Sequence, residues 1–231
     1  NGDLSLEMPY TMDKVNGLMK GYREGKLWYT DSYESDKSEG YYYDYHVNGA
    51  IASKVPFTND QRHGIAEYYA PDSSLMYRFT YFENVLKSFS YKNATGKFVP
   101  EKPVTLETSQ VICYYPNGKV SARISMKEGV YHGPFITYYP NGKIIQEKNF
   151  VKGDLEGPCK YYYANGKLKE FINYHNDERQ GVYERYYENG QKHESGQFLA
   201  GQSMGEWKIY NQAGKQVNTV YYSNNEIYDF K

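Results

Sequence analysis

The sequence predicts an all-β fold, namely an elongated, single-layer antiparallel β-sheet of about nine tandem β-hairpin repeats of 24 residues each. The clearest observation is a repeated phrase, since YYPNGK occupies residues 114–119 and again 138–143. The same step of 24 residues leads to Gly166, Gly190 and Gly214. A fixed period of this size is typical of a repeat array, whose units bury their apolar faces against one another.

Two turn sites in each unit predict a β-hairpin joined to the next by a second tight turn. The nine units begin, at position 0, with Asn16, Gly40, Gly64, Ser88, Ser109, Gly133, Gly157, Gly181 and Gly205. Position 9 holds the glycine of the Asn-Gly-Lys phrase, replaced by Ser73 in the third unit, and position 20 holds Asp, Asn or Gly, which tolerate a left-handed backbone. The unit from Ser88 is the exception, since it is only 21 residues long and turns at Gly96. The residues between these sites are rich in Tyr, Phe, Val and Ile, without the apolar spacing of a helix, so we expect almost no helix.

The prolines of the repeated phrase indicate which turn closes the hairpin. Pro116 and Pro140 precede Asn-Gly, at a site where a two-residue turn needs an N–H donor that proline lacks. A type I turn followed by a glycine bulge accepts proline at its second residue and glycine in the left-handed conformation. This turn predicts that position 5 pairs with position 11, and that positions 5, 11, 15 and 17 share one face.

The predicted faces have different roles. The first is a structural ladder with tyrosine at position 5, namely Tyr45, Tyr69, Tyr114, Tyr138, Tyr162, Tyr186 and Tyr210. The opposite face varies more between units, and Tyr and Trp are favoured anchors in protein interfaces. Its candidate partner-binding residues are Phe135, Tyr139, Tyr163, Tyr183, Tyr187 and Trp207. The alternative is that every aromatic side chain serves the fold, because a single-layer sheet has few other ways to bury area.

Departures from the period divide the chain. Residues 1–15 lack the pattern and are expected to form an N-terminal leader or cap, since repeat arrays need atypical ends. Residues 16–99 form a divergent sub-array, and residues 109–231 form a regular sub-array with a C-terminal cap. Between them, residues 100–108 are expected to be an irregular joint, because Pro100 and Pro103 cannot donate to a β-ladder.

Charge and motifs argue against several functional classes. With 27 basic and 28 acidic residues the net charge is −1, which disfavours nucleic acid as a partner. No apolar run is long enough to span a bilayer. The five histidines fall at unlike positions without metal-ligand spacing, and there is no phosphate-binding loop, nucleophile elbow or dinucleotide motif. We therefore expect no enzyme activity, no catalytic residue, no cofactor and no metal site.

The cysteines and the first residue bear on compartment. Cys113 and Cys159 lie two repeats apart, about 19 Å across a sheet with strands ~4.8 Å apart. A disulfide needs Cα atoms within about 7 Å, so two free thiols are expected. The chain starts at Asn1 without Met. If a signal peptide was removed there, the protein is expected to be an exported bacterial protein, periplasmic or at the cell surface.

The repeats resemble a known family. The segment Gly133-Pro134-Phe135-Ile136-Thr137-Tyr138-Tyr139-Pro140-Asn141-Gly142-Lys143, with its counterparts from Gly157, Gly181 and Gly205, is similar to MORN repeats. It looks most like the second MORN variant, found in bacterial proteins labelled YwqK-like antitoxins, and the resemblance covers roughly residues 16–227. It implies an elongated sheet of successive hairpins that binds proteins or lipid surfaces, with no catalytic residues to carry over.

Two functions are consistent with these observations. The first is a non-enzymatic scaffold for protein–protein interaction through an aromatic-rich face, with an antitoxin-like role and a toxin-like protein as partner. The second is a surface module that binds the cell envelope or glycans, in which aromatic rings stack on sugars. Open sheet edges also favour pairing with another chain, so self-association is a further expectation.

Overall fold

Antiparallel strands form the whole fold, and the described residues contain no helix. The computed structural model describes residues 5–23, 25–105, 107 and 109–230, the last three of them by backbone alone. The first strands are β1 (Leu6–Glu7), β2 (Tyr10–Thr11), β3 (Lys14–Val15), β4 (Gly17–Arg23), β5 (Lys26–Glu34), β6 (Lys37–Ser38), β7 (Gly40–Tyr45), β8 (Ile51–Thr58), β9 (Gln61–Arg62), β10 (Gly64–Tyr69), β11 (Leu75–Phe82), β12 (Val85–Tyr91) and β13 (Lys102–Pro103). They are followed by β14 (Ser109–Tyr114), β15 (Val120–Lys127), β16 (Val130–Tyr138), β17 (Ile144–Val151), β18 (Asp154–Leu155), β19 (Gly157–Tyr162), β20 (Leu168–His175), β21 (Glu178–Tyr186), β22 (Lys192–Leu199), β23 (Gln202–Tyr210), β24 (Gln216–Ser223) and β25 (Glu226–Phe230).

The strands pair in chain order. Sheet one runs β1-β4-β5-β7-β8-β10-β11-β12-β13, with β6 beside β5 and β9 beside β8. Sheet two runs from β14 to β25 in sequence order, with β18 beside β17, and β2 and β3 form a separate pair. The prediction of an all-β fold of consecutive antiparallel hairpins is confirmed.

The division of the chain can be stated in two ways. One sheet ends at β13 and the next begins at β14. The contacts define two compact units: Asn1–Glu107, Cys113–Ser121 and Glu128–Val130 form the first, and Thr108–Ile112, Ala122–Lys127 and Tyr131–Lys231 form the second. In the predicted leader, β1 pairs with β4. In the predicted joint, β13 pairs with β12 through two residues only. The domain bounds drawn from the sequence stay predictions.

The turn predicted for the Asn-Gly-Lys phrase is present. In the unit that begins at Gly133, the Gly142 N–H donates to the Tyr139 carbonyl at 2.8 Å, and the Tyr139 N–H donates to the Lys143 carbonyl at 2.7 Å. Gly142 has φ of 90°, in the left-handed region. Tyr138 pairs with Ile144, which confirms the predicted pairing of positions 5 and 11.

In every unit except the one from Ser88, the second turn is a type I′ turn, because two consecutive residues have positive φ. In one unit these are Asn176 (φ 48°) and Asp177 (φ 64°), at positions 19 and 20. Position 20 was anticipated from its residue types. Position 19 was not, because side chains as different as those of Glu128, Lys152 and Ala200 occupy it.

A β-bulge beside the first turn corrects the predicted faces. Thr137 pairs with Gln146 and Tyr138 pairs with Ile144, so Ile145 is an extra residue in its strand. Side chains alternate with a period of two, and one extra residue therefore moves all later positions to the other face. The prediction that positions 15 and 17 share a face with positions 5 and 11 is wrong. Positions 2, 4, 13, 15 and 17 form the buried face, and positions 1, 3, 5, 11, 14 and 16 form the open face.

The buried face of sheet two carries the core of its last repeats. Its buried cluster consists of Cys159, Ile172, Tyr183, Phe198, Trp207 and Val220. Trp207 lies flat over Gly196, where a Cβ atom would come within 2.2 Å of the indole ring. Glycine is needed there because any larger residue would displace the tryptophan. Both cysteines are buried free thiols, as predicted, and burial raises the pKa of Cys159 to about 11.

Candidate interaction surface

Three of the predicted partner-binding residues are core residues. Phe135, Tyr183 and Trp207 are only 7%, 4% and 5% exposed. They occupy position 2, and because of the bulge this position shares the buried face with positions 15 and 17. Tyr183 packs with its ring centroid 5.2 Å from that of Trp207, and Phe198 meets the same indole at 5.1 Å. A partner cannot reach these rings in the folded protein.

The other three predicted residues link neighbouring repeats. The hydroxyls of Tyr139, Tyr163 and Tyr187 donate to backbone carbonyls of the next repeat, at 3.0, 2.6 and 2.8 Å respectively. The acceptors are the position 5 carbonyls of Tyr162, Tyr186 and Tyr210. In sheet one His46 takes the same place, with its Nε2 2.9 Å from the Tyr69 carbonyl oxygen. These side chains are half-buried. Their role in partner binding stays a prediction, but their structural role is visible.

Asparagines beside them form a second row of links. The Nδ2 atoms of Asn141, Asn165 and Asn189 donate to the carbonyls of Ala164, Glu188 and Gln212, at 3.1, 3.1 and 2.9 Å. Asn48 makes the same bond to Pro71 at 2.7 Å. The sequence identified these asparagines as turn residues only. Their link to the next repeat depends on the distance between strands, which a turn motif does not contain.

The opposite edge of the array is also linked, through position 20. The Asp177 N–H donates to the Leu155 carbonyl at 3.2 Å, and its Oδ1 accepts from the Leu155 N–H at 2.7 Å. The Asp177 carboxylate therefore joins two repeats. Side chains that make the same bond are those of Asp36, Asp60, Asn84 and Asn225. Gly153 and Gly201, at the same position, make the backbone bond alone.

The predicted tyrosine ladder lies on the open face. Its seven side chains, at position 5, are half-buried. The Tyr162 hydroxyl donates to Glu147 at 3.0 Å, and the Tyr186 hydroxyl donates to Glu184 at 2.6 Å. Lys192 completes this group, with its Nζ 2.7 Å from the Glu184 carboxylate. The tyrosines predicted to be structural therefore lie partly exposed on the open face.

The electrostatics of these tyrosines follow from their partial burial. Burial, and then the hydrogen bond to Glu147, raises the pKa of Tyr162 to about 12. The same causes, with Glu184 as the acceptor, raise the pKa of Tyr186 to about 12. Lys192 and Tyr186 together hold the pKa of Glu184 below its usual value, against the opposing effect of burial. At neutral pH the Glu184 carboxylate is thus charged, and the phenols of Tyr162 and Tyr186 are neutral.

Aliphatic side chains at position 1 border the tyrosines on the open face. Val182 is 44% exposed and Ile65 is 50% exposed. In sheet one the same face carries an ion pair, with Arg78 Nη2 2.6 Å from Glu67, and Tyr69 donates to the same carboxylate at 2.9 Å. The open face therefore combines aromatic, aliphatic and charged groups of both signs.

Within the described part of the chain, no three His, Cys, Asp or Glu side chains come close enough to hold a metal ion. His175 and Glu156 make an exposed pair at 3.1 Å. The search for membrane spans, over the same residues, found no helix of the length and hydropathy that a crossing requires.

Comparison with known proteins gives the family of the repeats. The model of the MORN repeat variant matches residues 131–152, 155–176 and 179–199. Three consecutive repeats of this chain thus match the MORN repeat variant. The MORN repeat is a non-catalytic module that generally mediates interaction with proteins or membranes. The matched segments cover most of β16 to β22, and they include Tyr138, Tyr162 and Tyr186 of the open face.

The other comparisons add little. The search of curated proteins found no match. Among solved structures, "Crystal Structure of TcdB2-TccC3-Cdc42" is 12% identical to this chain, with a TM-score of 0.18. The match covers 90% of this chain and only 14% of the other. A likeness this weak supports no structural argument.

Proposed function

We propose that this protein is a non-enzymatic scaffold that binds a protein partner through the open face of sheet two. The observation that carries the proposal is the row of half-buried tyrosines at position 5, in which the Tyr162 and Tyr186 hydroxyls are held by the carboxylates of Glu147 and Glu184. Partly exposed, oriented tyrosines lose little conformational freedom on binding, and they are enriched among interface anchors. Charges of both signs beside them suit the mixed surface of a protein better than a uniformly charged polymer.

A narrower form of the proposal is an antitoxin-like role, in which the partner is a toxin-like protein. It is supported only by the resemblance of the repeats to those of antitoxin-labelled proteins. Co-expression provides the test, because a partner that arrests growth alone should be tolerated when the scaffold is present. If a captured partner has no effect on growth, the antitoxin-like role is refuted and the scaffold proposal still stands.

The surface is tested with a triple variant, Tyr162→Ser, Tyr186→Ser and Tyr210→Ser. Its matched control changes three exposed residues at the type I′ turns, Lys152→Ser, Glu178→Ser and Gln202→Ser. We expect wild type and control to capture the same protein from an extract of the source cells, and the open-face variant to lose it. Circular dichroism and thermal melting must show all three proteins folded.

Equal capture by the open-face variant would refute this surface. The same proteins should also be applied to a glycan array and to cell-envelope fractions, because a glycan-binding surface module is the alternative function. Binding there, with no captured protein, would replace the scaffold proposal with that alternative.

A further inference from the structure

The four linking asparagines, Asn48, Asn141, Asn165 and Asn189, are all followed by glycine. An Asn-Gly pair is chemically labile, because glycine has no side chain to shield the asparagine Cγ from the next backbone nitrogen. That nitrogen attacks Cγ, and a C–N bond closes a succinimide ring while the Cγ–Nδ2 bond breaks. Ammonia leaves with the glycine amide proton, and water then opens the ring to aspartate or isoaspartate.

In the folded repeat each atom of this reaction is engaged. In the turn at Asn165, the Gly166 N–H donates to the Tyr163 carbonyl at 2.8 Å, which keeps the attacking nitrogen protonated. The Asn165 Oδ1 accepts from the Lys167 N–H at 2.9 Å. Its Nδ2, the leaving group, donates to the Glu188 carbonyl of the next repeat at 3.1 Å. Ring closure requires rotation of the amide and breaks both of its bonds.

We propose that these four Asn-Gly turns are deamidation sites gated by docking of the next repeat. Separation of two repeats frees Nδ2 from its acceptor and allows the amide to rotate toward the glycine nitrogen. The product carries a carboxylate where an N–H donor stood, and this carboxylate faces a carbonyl oxygen that it cannot bond. Deamidation therefore prevents the same link from forming again, and it converts a reversible local opening into a permanent one.

A tyrosine hydroxyl at the same turn also bonds to the next repeat, so this bond between repeats can be removed while Asn165 and Gly166 stay unchanged. Tyr163 lies two residues before Asn165, and its hydroxyl donates to the Tyr186 carbonyl. Tyr163→Phe removes this bond and so makes local separation of the two repeats easier. Local opening of this kind governs the reactivity of groups that are protected in the folded protein. Loss of one hydrogen bond, about 1 kcal/mol, corresponds to a rate increase of about fivefold at Asn165. Tyr210→Phe is the control, because no hydrogen bond of its hydroxyl is found in the described part of the chain.

The experiment is peptide mapping by mass spectrometry after incubation in mildly alkaline buffer, with and without denaturing urea. We expect slow deamidation at all four sites in the native protein, fast deamidation in urea, and a selective increase at Asn165 in Tyr163→Phe. Asn141 and Asn189 should stay at the wild-type rate, and Tyr210→Phe should match wild type at every site. Equal rates in native and unfolded protein, or an unchanged rate at Asn165 in Tyr163→Phe, would overturn the proposal.

The consequence for the fold is measured separately. Asn165→Asp reproduces the deamidated side chain and should lower the melting temperature of the protein. Asn173→Asp, which adds the same charge on the open face of the same repeat, should lower it less. Equal melting temperatures for the two variants would contradict the proposed effect of deamidation on the link.

Discussion

Tyr186 and Tyr187 are neighbours in the chain, and their hydroxyls have different partners. Tyr186 points to the open face and donates to Glu184, whereas Tyr187 reaches the Tyr210 carbonyl in the next repeat. The same contrast holds for Tyr162 and Tyr163. Residue type alone therefore does not assign a role to a tyrosine here, because adjacent positions in a strand face opposite sides.

At the residue scale, the raised pKa of Tyr186 predicts a loss of stability in alkaline solution. Its pKa rises from 10.0 to about 12, first through burial and then through Glu184. A folded pKa above the unfolded pKa favours the neutral phenol, so this stabilisation is complete below pH 10 and is lost as pH rises to about 12. In Tyr186→Phe, the free energy of unfolding should fall less steeply over this interval.

Urea unfolding at several pH values, monitored by circular dichroism, provides the measurement. Tyr210→Phe is the matched control, since it removes an open-face phenol at the same position of the next repeat. Identical slopes for wild type and Tyr186→Phe between pH 10 and about 12 would contradict the assignment of this effect to Tyr186.

At the element scale, the type I′ turns offer a matched pair of substitutions. Asp177→Gly keeps the left-handed backbone but removes the acceptor for the Leu155 N–H, and we expect a loss of about 0.5–1.5 kcal/mol in unfolding free energy. Gly201→Asn supplies an acceptor at the equivalent turn, where no atom lies within 4 Å of an added Cβ. It should stabilise the protein by up to about 1 kcal/mol, because asparagine tolerates the left-handed conformation.

Thermal or urea unfolding of both variants, alone and combined, tests this pair. The two turns lie in successive repeats, so the combined variant shows whether the effects add. A Gly201→Asn protein no more stable than wild type would show that the side-chain half of the link contributes nothing at this site.

The hairpins were predictable from local signals, whereas the faces were not. Pro140 and Gly142 determine the first turn through backbone rules that act within a few residues, and the resulting pairing of Tyr138 with Ile144 followed from them. The bulge at Ile145 has no comparable residue signature, and it reversed the assignment of Phe135. The partners of Tyr139 and Asn141 were equally hidden, because they depend on the spacing between repeats.

At the scale of the whole molecule, each repeat contacts its neighbours in the sheet, so a defect should spread over a short range. Trp207→Ala removes a ring 5% exposed that packs on Tyr183, Phe198 and Tyr222. We expect a loss of about 3–5 kcal/mol in stability. Hydrogen exchange should rise most in β21 to β24 and least in β16 and β17.

Hydrogen exchange followed by mass spectrometry resolves this gradient along sheet two. Val217→Ala is the control, since its side chain is 57% exposed and should leave exchange unchanged. A uniform rise from β16 to β24 in Trp207→Ala would instead indicate that sheet two opens as one cooperative body.

The hydrogen bonds between repeats restrict which duplications and deletions of the gene keep the fold. The hairpins from Gly133, Gly157 and Gly181 each offer a hydroxyl and an amide donor to the carbonyls of the hairpin that follows. Duplication or deletion of one full 24-residue unit by unequal recombination joins two edges that already fit. Within these linked repeats, an insertion or deletion of another length would misalign the donors with their acceptors, so the linked part of the array is expected to change in whole periods.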